Sequence, residues 1–166
     1  MKKKYLTIAL LAGAAFLVMT AGIYAGTQAA DEIKLENKAY ANHKEAVIVF
    51  QHKKHQTEYQ EKNPGLFKSQ CGECHHQKES DTTNKPLVKL KEGDEVKNCI
   101  ECHQKADYVK GEKAKGLSDV QKRAYHANAM HDNCKSCHRE HNQQKGLKPK
   151  EKGYAPVTCK SCHSKG

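Results

Sequence analysis

Apolar positions are concentrated at one end of this 166-residue chain. Lys2, Lys3 and Lys4 precede an apolar stretch from about residue 5 to residue 24, and small residues (Ala25, Gly26, Thr27, Ala29, Ala30) lie just before Asp31. A basic start, an apolar centre and small residues at a cleavage point mark residues 1–30 as a secretory signal peptide, with the mature chain starting near Asp31. Beyond it the patterning is thin. Residues 47–50 (Val-Ile-Val-Phe) form a β-branched run that predicts one strand of a small hairpin. Ser118 and Gln121 make a capping box that predicts the best helix, running through Val120, Ala124, Ala127 and His131 toward Cys134. On that helix His131, Cys134 and His138 share one face. The connectors 56–70, 77–98, 104–117 and 139–158 are rich in Lys, Glu, Gly and Asn and read as loops. The expected fold class is mainly α with extensive irregular loops and a short β-hairpin, in one domain over residues 31–166.

Composition sharpens the difficulty. The mature stretch holds 18 Leu, Ile, Val and Phe and no Trp, too little apolar surface to offset roughly 1–2 kcal/mol of backbone entropy per ordered residue. By composition such a chain ranks as disordered unless something else supplies its core.

The cysteines supply the alternative. All eight fall in four copies of one pattern: Cys71-Gly72-Glu73-Cys74-His75, Cys99-Ile100-Glu101-Cys102-His103, Cys134-Lys135-Ser136-Cys137-His138 and Cys159-Lys160-Ser161-Cys162-His163. C-x-x-C-H is the attachment signature of c-type haem: two thioethers hold the porphyrin edge and the adjacent histidine is placed as an axial ligand. Two intervening residues make one helical turn, which sets both sulfurs beside one edge. Zinc sites and disulfides also use paired cysteines, but neither demands a histidine after each pair. Four covalently bound haems therefore form the expected core of a small multihaem cytochrome fold, and the haem-free chain is expected to be largely unfolded.

Four proximal histidines leave His43, His52, His55, His76, His126, His131 and His141. Beyond the leader the chain has one methionine, Met130, so methionine ligation cannot be general. Four of the seven spare histidines suffice for four bis-histidine irons, which lack the potential-raising methionine and leave no open position for a substrate. His126 lies five residues before His131, about 140° around a helix, so the two cannot face one iron. His43 and His141 read as solvated surface residues.

Residues 47–55 (Val-Ile-Val-Phe-Gln-His-Lys-Lys-His), the second histidine directly after His75, and Ala129-Met130-His131-Asp132 before the third motif together resemble the tetrahaem cytochrome c3 family, the class III c-type cytochromes. The resemblance spans roughly residues 46–163. This chain uses the short C-x-x-C-H form throughout, where the family often has C-x-x-x-x-C-H at the second and fourth haems, and its loop between His55 and Cys71 is longer. The resemblance implies that His52 faces His75, His76 faces His103, His55 faces His138 and His131 faces His163, with His126 the competitor for the last place. It also implies that Phe50 packs between the haems served by His52 and His55, although Phe50 equally suits an ordinary core.

Removal of a leader with three lysines and no acid lowers the formal net charge from +10 to +7. Export argues against nucleic acid as the partner of this basic surface. Eight haem propionates nearly cancel the +7, and Lys135, Lys145, Lys148, Lys150, Lys152, Lys160 and Lys165 crowd the last third, a rim suited to acidic redox partners. No phosphate loop, Ser-His-Asp set or paired-carboxylate signature stands out, so no enzyme activity and no small-molecule substrate are expected. The resemblance implies a periplasmic, low-potential electron carrier in anaerobic respiration, exchanging electrons with partners such as hydrogenase, formate dehydrogenase or a membrane redox complex. Two alternatives remain at this point. An uncleaved residue 5–24 segment is long enough to anchor a tetrahaem quinol dehydrogenase in a bilayer, and one open iron would make a haem-based sensor or reductase.

Overall fold

The computed structural model describes residues 29–43, 45–76 and 87–163; the signal-peptide reading and Lys165 fall outside them, apart from Ala29 and Ala30. Strands β1 (Ile33–Lys34) and β2 (Val49–Phe50) pair antiparallel, Ile33 opposite Phe50 and Lys34 opposite Val49. The ladder runs one step further through the Leu35 N–H, which donates to the Ile48 carbonyl at 2.8 Å. The expected strand thus exists, and its partner comes from the start of the described residues.

Directly after β2 the chain coils. Helix α1 (His52–Lys54), a wider π-helical turn (His55–Tyr59), helix α2 (Gln60–Lys62) and a 3-10 turn (Pro64–Leu66) follow almost without interruption. This corrects the reading of residues 56–70 as loop: the polar side chains there line the outside of a winding segment whose backbone bonds are local, as with Thr57 Oγ1 donating to the Lys53 carbonyl at 2.9 Å.

Each of the remaining attachment motifs also sits on a helical turn. Cys71–Glu73 is a 3-10 turn, and α3 (Cys99–Cys102) begins at a capping box in which Asn98 and Glu101 satisfy each other's backbone N–H groups. Helix α4 (Asp119–Arg123) starts at the Ser118–Gln121 box, and the long helix α5 (His126–Gln144) carries the third motif. The last motif is α6 (Cys159–Cys162), capped by Thr158 and Ser161.

The single helix expected from Ser118 onward is therefore two. Tyr125 adopts an extended backbone, and the chain on either side of it bonds to Lys105: the Lys105 N–H donates to the Ala124 carbonyl at 3.1 Å and the His126 N–H to the Lys105 carbonyl at 2.9 Å. Two backbone bonds to a distant segment outcompete local helix continuation. The expected loop over 139–158 is also corrected, since α5 continues to Gln144. It stops at Gly146, whose positive φ of 63° lets the Leu147 N–H reach back to the Asn142 carbonyl at 2.8 Å and the Gly146 N–H to Gln143 at 3.2 Å.

Among the described residues only Leu66, Leu90, Val109 and Ala129 form a buried apolar core, and no large side chain is completely enclosed. The residues the elements bring together are instead largely histidines.

Candidate metal centres

Eight histidines lie in four pairs. Ring centres lie 6.3 Å apart for His52 and His75, 6.3 Å for His55 and His138, 6.0 Å for His76 and His103, and 6.0 Å for His131 and His163. A metal bonded at about 2 Å to two opposed imidazole nitrogens, each roughly 1.1 Å from its ring centre, separates the rings by about 6 Å. Direct imidazole stacking would bring them closer. Each pair joins one C-x-x-C-H histidine to one histidine from elsewhere in the chain.

Five of the eight rings are held through Nδ1. Nδ1–H of His55 donates to the Gln51 carbonyl at 2.9 Å, that of His103 to Arg123 at 2.5 Å, of His131 to Ala127 at 2.6 Å, of His138 to Pro156 at 2.7 Å and of His163 to Ala46 at 2.7 Å. A carbonyl only accepts, so the proton belongs on Nδ1 and the Nε2 lone pair is left for a metal. Burial pushes the imidazoles of His55, His75 and His131 below the usual histidine range, which keeps them neutral and able to ligate.

None of the eight thiols is in a disulfide. Cys74 and Cys134 retain accessible surface, yet the surrounding protein pushes their thiols up to about 12 and about 11 by desolvation. Among the described residues no three or more His, Cys, Asp or Glu converge on a metal-ion position. Each pair brings together two imidazoles, a donor set that would suit an iron whose other four ligands come from a porphyrin and would not suit four-coordinate zinc.

Remaining histidines have other contacts. His126 is buried and bonded through Nδ1 to the Tyr40 hydroxyl at 2.7 Å. His43 is exposed beside the same tyrosine, with ring centres 5.7 Å apart. His141, expected to be solvated, is instead half-buried, with Nδ1 3.2 Å from Asn63 Oδ1 and Nε2 3.1 Å from the Gly153 carbonyl. Phe50 lies with its ring centre 4.6 Å from that of His55 and 5.9 Å from that of His52.

Three features escaped sequence reasoning. The carbonyls of Gln51, Arg123, Ala127, Pro156 and Ala46 carry no side-chain signature. Tyr108 packs against His131, ring centres 4.7 Å apart and planes tilted by 33°. Asn128 and Asn142 grip passing backbone, Asn142 from within a stretch that reads as loop.

Helical C-x-x-C-H turns facing paired imidazoles define a multihaem c-type cytochrome. The chain belongs to the class III cytochrome c family, whose model matches residues 27–163. It is accordingly an electron-transfer cytochrome with four c-type haems. No curated protein and no solved structure matches the chain.

Proposed function

We propose that this chain is an exported, low-potential electron carrier in which His75 and His52 ligate haem 1, His103 and His76 haem 2, His138 and His55 haem 3, and His163 and His131 haem 4. Haems are numbered in the order of their attachment motifs, held by Cys71 and Cys74, Cys99 and Cys102, Cys134 and Cys137, and Cys159 and Cys162. The observation that carries this reading is the set of four imidazole pairs at iron-spanning distance. Its His126 alternative is disfavoured by the bond of His126 to Tyr40 and by the approach of His131 to His163.

Each iron supplies a one-electron couple when bound. The paired histidines would hold each iron through two nitrogen donors, which favours a low potential and would leave no site for a substrate. It also sets the order of the sites. His75 and His76 are adjacent residues, His52 and His55 lie one turn apart, and His131 and His138 stand two turns apart on α5, a rise of about 10.5 Å. Neighbouring pairs thus share a segment, giving a row in the order 2, 1, 3, 4. Asn133 Nδ2 ties the third motif to the first by donating to the Cys74 carbonyl at 3.2 Å.

Such a row suits relay and storage of single electrons and no bond chemistry. The partners are acidic redox proteins, with hydrogenase, formate dehydrogenase or a membrane redox complex as candidates, docking on the rim formed by the exposed Lys145, Lys148, Lys150, Lys152 and Lys160 and the half-buried Lys135. The location is the periplasm, reached by cleavage near Asp31. Among the described residues no helix is long and apolar enough to cross a membrane.

Intact mass of the protein purified from the native host's soluble exported fraction tests this. A chain starting near residue 31 plus four haems supports the carrier. A membrane-retained species with residues 1–30 attached supports an anchored quinol dehydrogenase, and a mass without haem contradicts both.

A further inference from the structure

Helix α5 carries two asparagines that act in the same way at opposite ends. Asn128 Oδ1 accepts from the Val109 N–H at 2.8 Å while its Nδ2 donates to the Val109 carbonyl at 2.9 Å. Asn142 Oδ1 accepts from the Ala155 N–H at 2.8 Å while its Nδ2 donates to the Ala155 carbonyl at 2.9 Å. One carboxamide therefore satisfies both backbone groups of one residue, a two-point grip that fixes a passing strand in position and orientation. Both grips are sheltered: Asn142 and Val109 are buried, and Asn128 and Ala155 are half-buried.

In each case the residue beside the gripped one touches an imidazole of α5. Tyr108, next to Val109, packs its ring against His131 at 4.7 Å, and the Lys110 ammonium lies 5.6 Å from the same tyrosine ring. Pro156, next to Ala155, offers the carbonyl that accepts from His138 Nδ1 at 2.7 Å. Asn128 precedes His131 by three residues and Asn142 follows His138 by four, so each grip and its imidazole lie within about one turn of each other on the helix.

We propose that Asn128 and Asn142 are positioning residues that orient the axial imidazoles of haem 4 and haem 3, Asn128 through the ring of Tyr108 and Asn142 through the Pro156 carbonyl. The inference rests on the assignment of His131 and His138 as ligands. A hydrogen bond to Nδ1 fixes the rotation of a ligating imidazole and raises its basicity, and a ring packed against it restricts rotation by contact. One helix then sets ligand orientation at two neighbouring haems independently.

The test uses the holoprotein. In the oxidised state, haem methyl proton resonances respond to the rotation of the axial imidazole planes, and they are followed together with the four reduction steps. Asn142→Ala is expected to move the methyl pattern of haem 3 and raise its potential, because a less basic ligand favours the ferric state less. Asn128→Ala and Tyr108→Leu are expected to move the pattern of haem 4, while Tyr108→Phe, which keeps the ring, restores the wild-type pattern. Asn142→Asp replaces Asn142→Ala if the latter does not fold, since it keeps the acceptor and loses the donor. Unchanged methyl patterns, or shifts spread evenly over all four haems, overturn the proposal. His131→Ala and His138→Ala test the ligand assignment separately: each must leave one iron able to bind carbon monoxide. If they do not, the assignment fails and the positioning proposal falls with it.

Discussion

His163 Nδ1 donates to the carbonyl of Ala46 at 2.7 Å across 117 residues of sequence. The last attachment motif is thus fastened to the segment that leads into β2, and β2 in turn presents His52 and His55. The two ends of the domain are thus joined at His163, and loss of this contact is expected to loosen the His131–His163 pair.

Histidine replacement separates the two candidates on α5. His131→Ala is expected to open haem 4, giving carbon monoxide binding by one reduced iron in four. His126→Ala is expected to leave all irons closed and to cost on the order of 1 kcal/mol through loss of the bond to Tyr40. Carbon monoxide titration of both reduced variants, with a thermal melt of the second, checks the pair.

Gly72 inside the first motif has no room for a side chain. A Cβ there would lie 2.0 Å from the Val88 carbonyl oxygen, and that segment is bonded to the motif through the Cys71 N–H donating to Leu90 at 3.2 Å. Gly72→Ala is expected to destabilise the protein by about 2–3 kcal/mol, since backbone must move, and to lower occupancy of haem 1. Denaturant titration and haem-to-protein ratio measure both effects.

Acid is expected to destabilise the folded protein through its buried imidazoles. Burial holds His55, His75 and His131 below their unfolded value near 6.5, so the unfolded chain binds protons first as pH falls. Stability from these groups is intact above about 6.5, declines below it, and is fully lost once pH has passed the lowered folded values. Metal ligation opposes protonation of the same imidazoles, so the low-spin spectrum of the holoprotein is expected to persist to a pH well below about 6.5. A pH titration of the holoprotein followed by circular dichroism and by the haem absorption band tests this; a low-spin band lost near the ordinary histidine value contradicts it.

Charge on the lysine rim is expected to act on rate. Replacing Lys148, Lys150 and Lys152 together by Gln should slow reduction by an acidic redox partner by up to about tenfold at low salt, with the difference vanishing as salt rises. Stopped-flow reduction across ionic strengths measures this, and an unchanged salt dependence removes the rim from docking.

Much of the site can be read along the chain because its chemistry is written in residue types. The four C-x-x-C-H turns, the strand ending at Phe50, the histidines one turn apart at His52 and His55, and the Ser118 capping box are local signals. What local signals miss is decided by partners distant in sequence. Tyr125 leaves helical geometry because Lys105 offers backbone bonds to its neighbours. Residues 139–144 look like a polar connector, yet they continue α5 because Asn142 grips Ala155 and Gly146 closes the helix end. His141 looks like a surface residue until Asn63 and Gly153 meet it. An asparagine in a polar segment has no pattern that distinguishes a solvated amide from a backbone grip.

The fold's shortage of buried apolar side chains leads to a further expectation: without haem the chain lacks cooperative structure. Only four apolar residues are buried among those described, far less than ordering a domain requires. Circular dichroism of haem-free protein should show no sharp thermal transition.

Near-infrared magnetic circular dichroism of the oxidised holoprotein distinguishes histidine–histidine from histidine–methionine and open irons, and so tests the four histidine pairs directly. One class of signal, histidine–histidine, is expected, with intensity for four haems. A histidine–methionine band, a high-spin band, or intensity for fewer than four would contradict it.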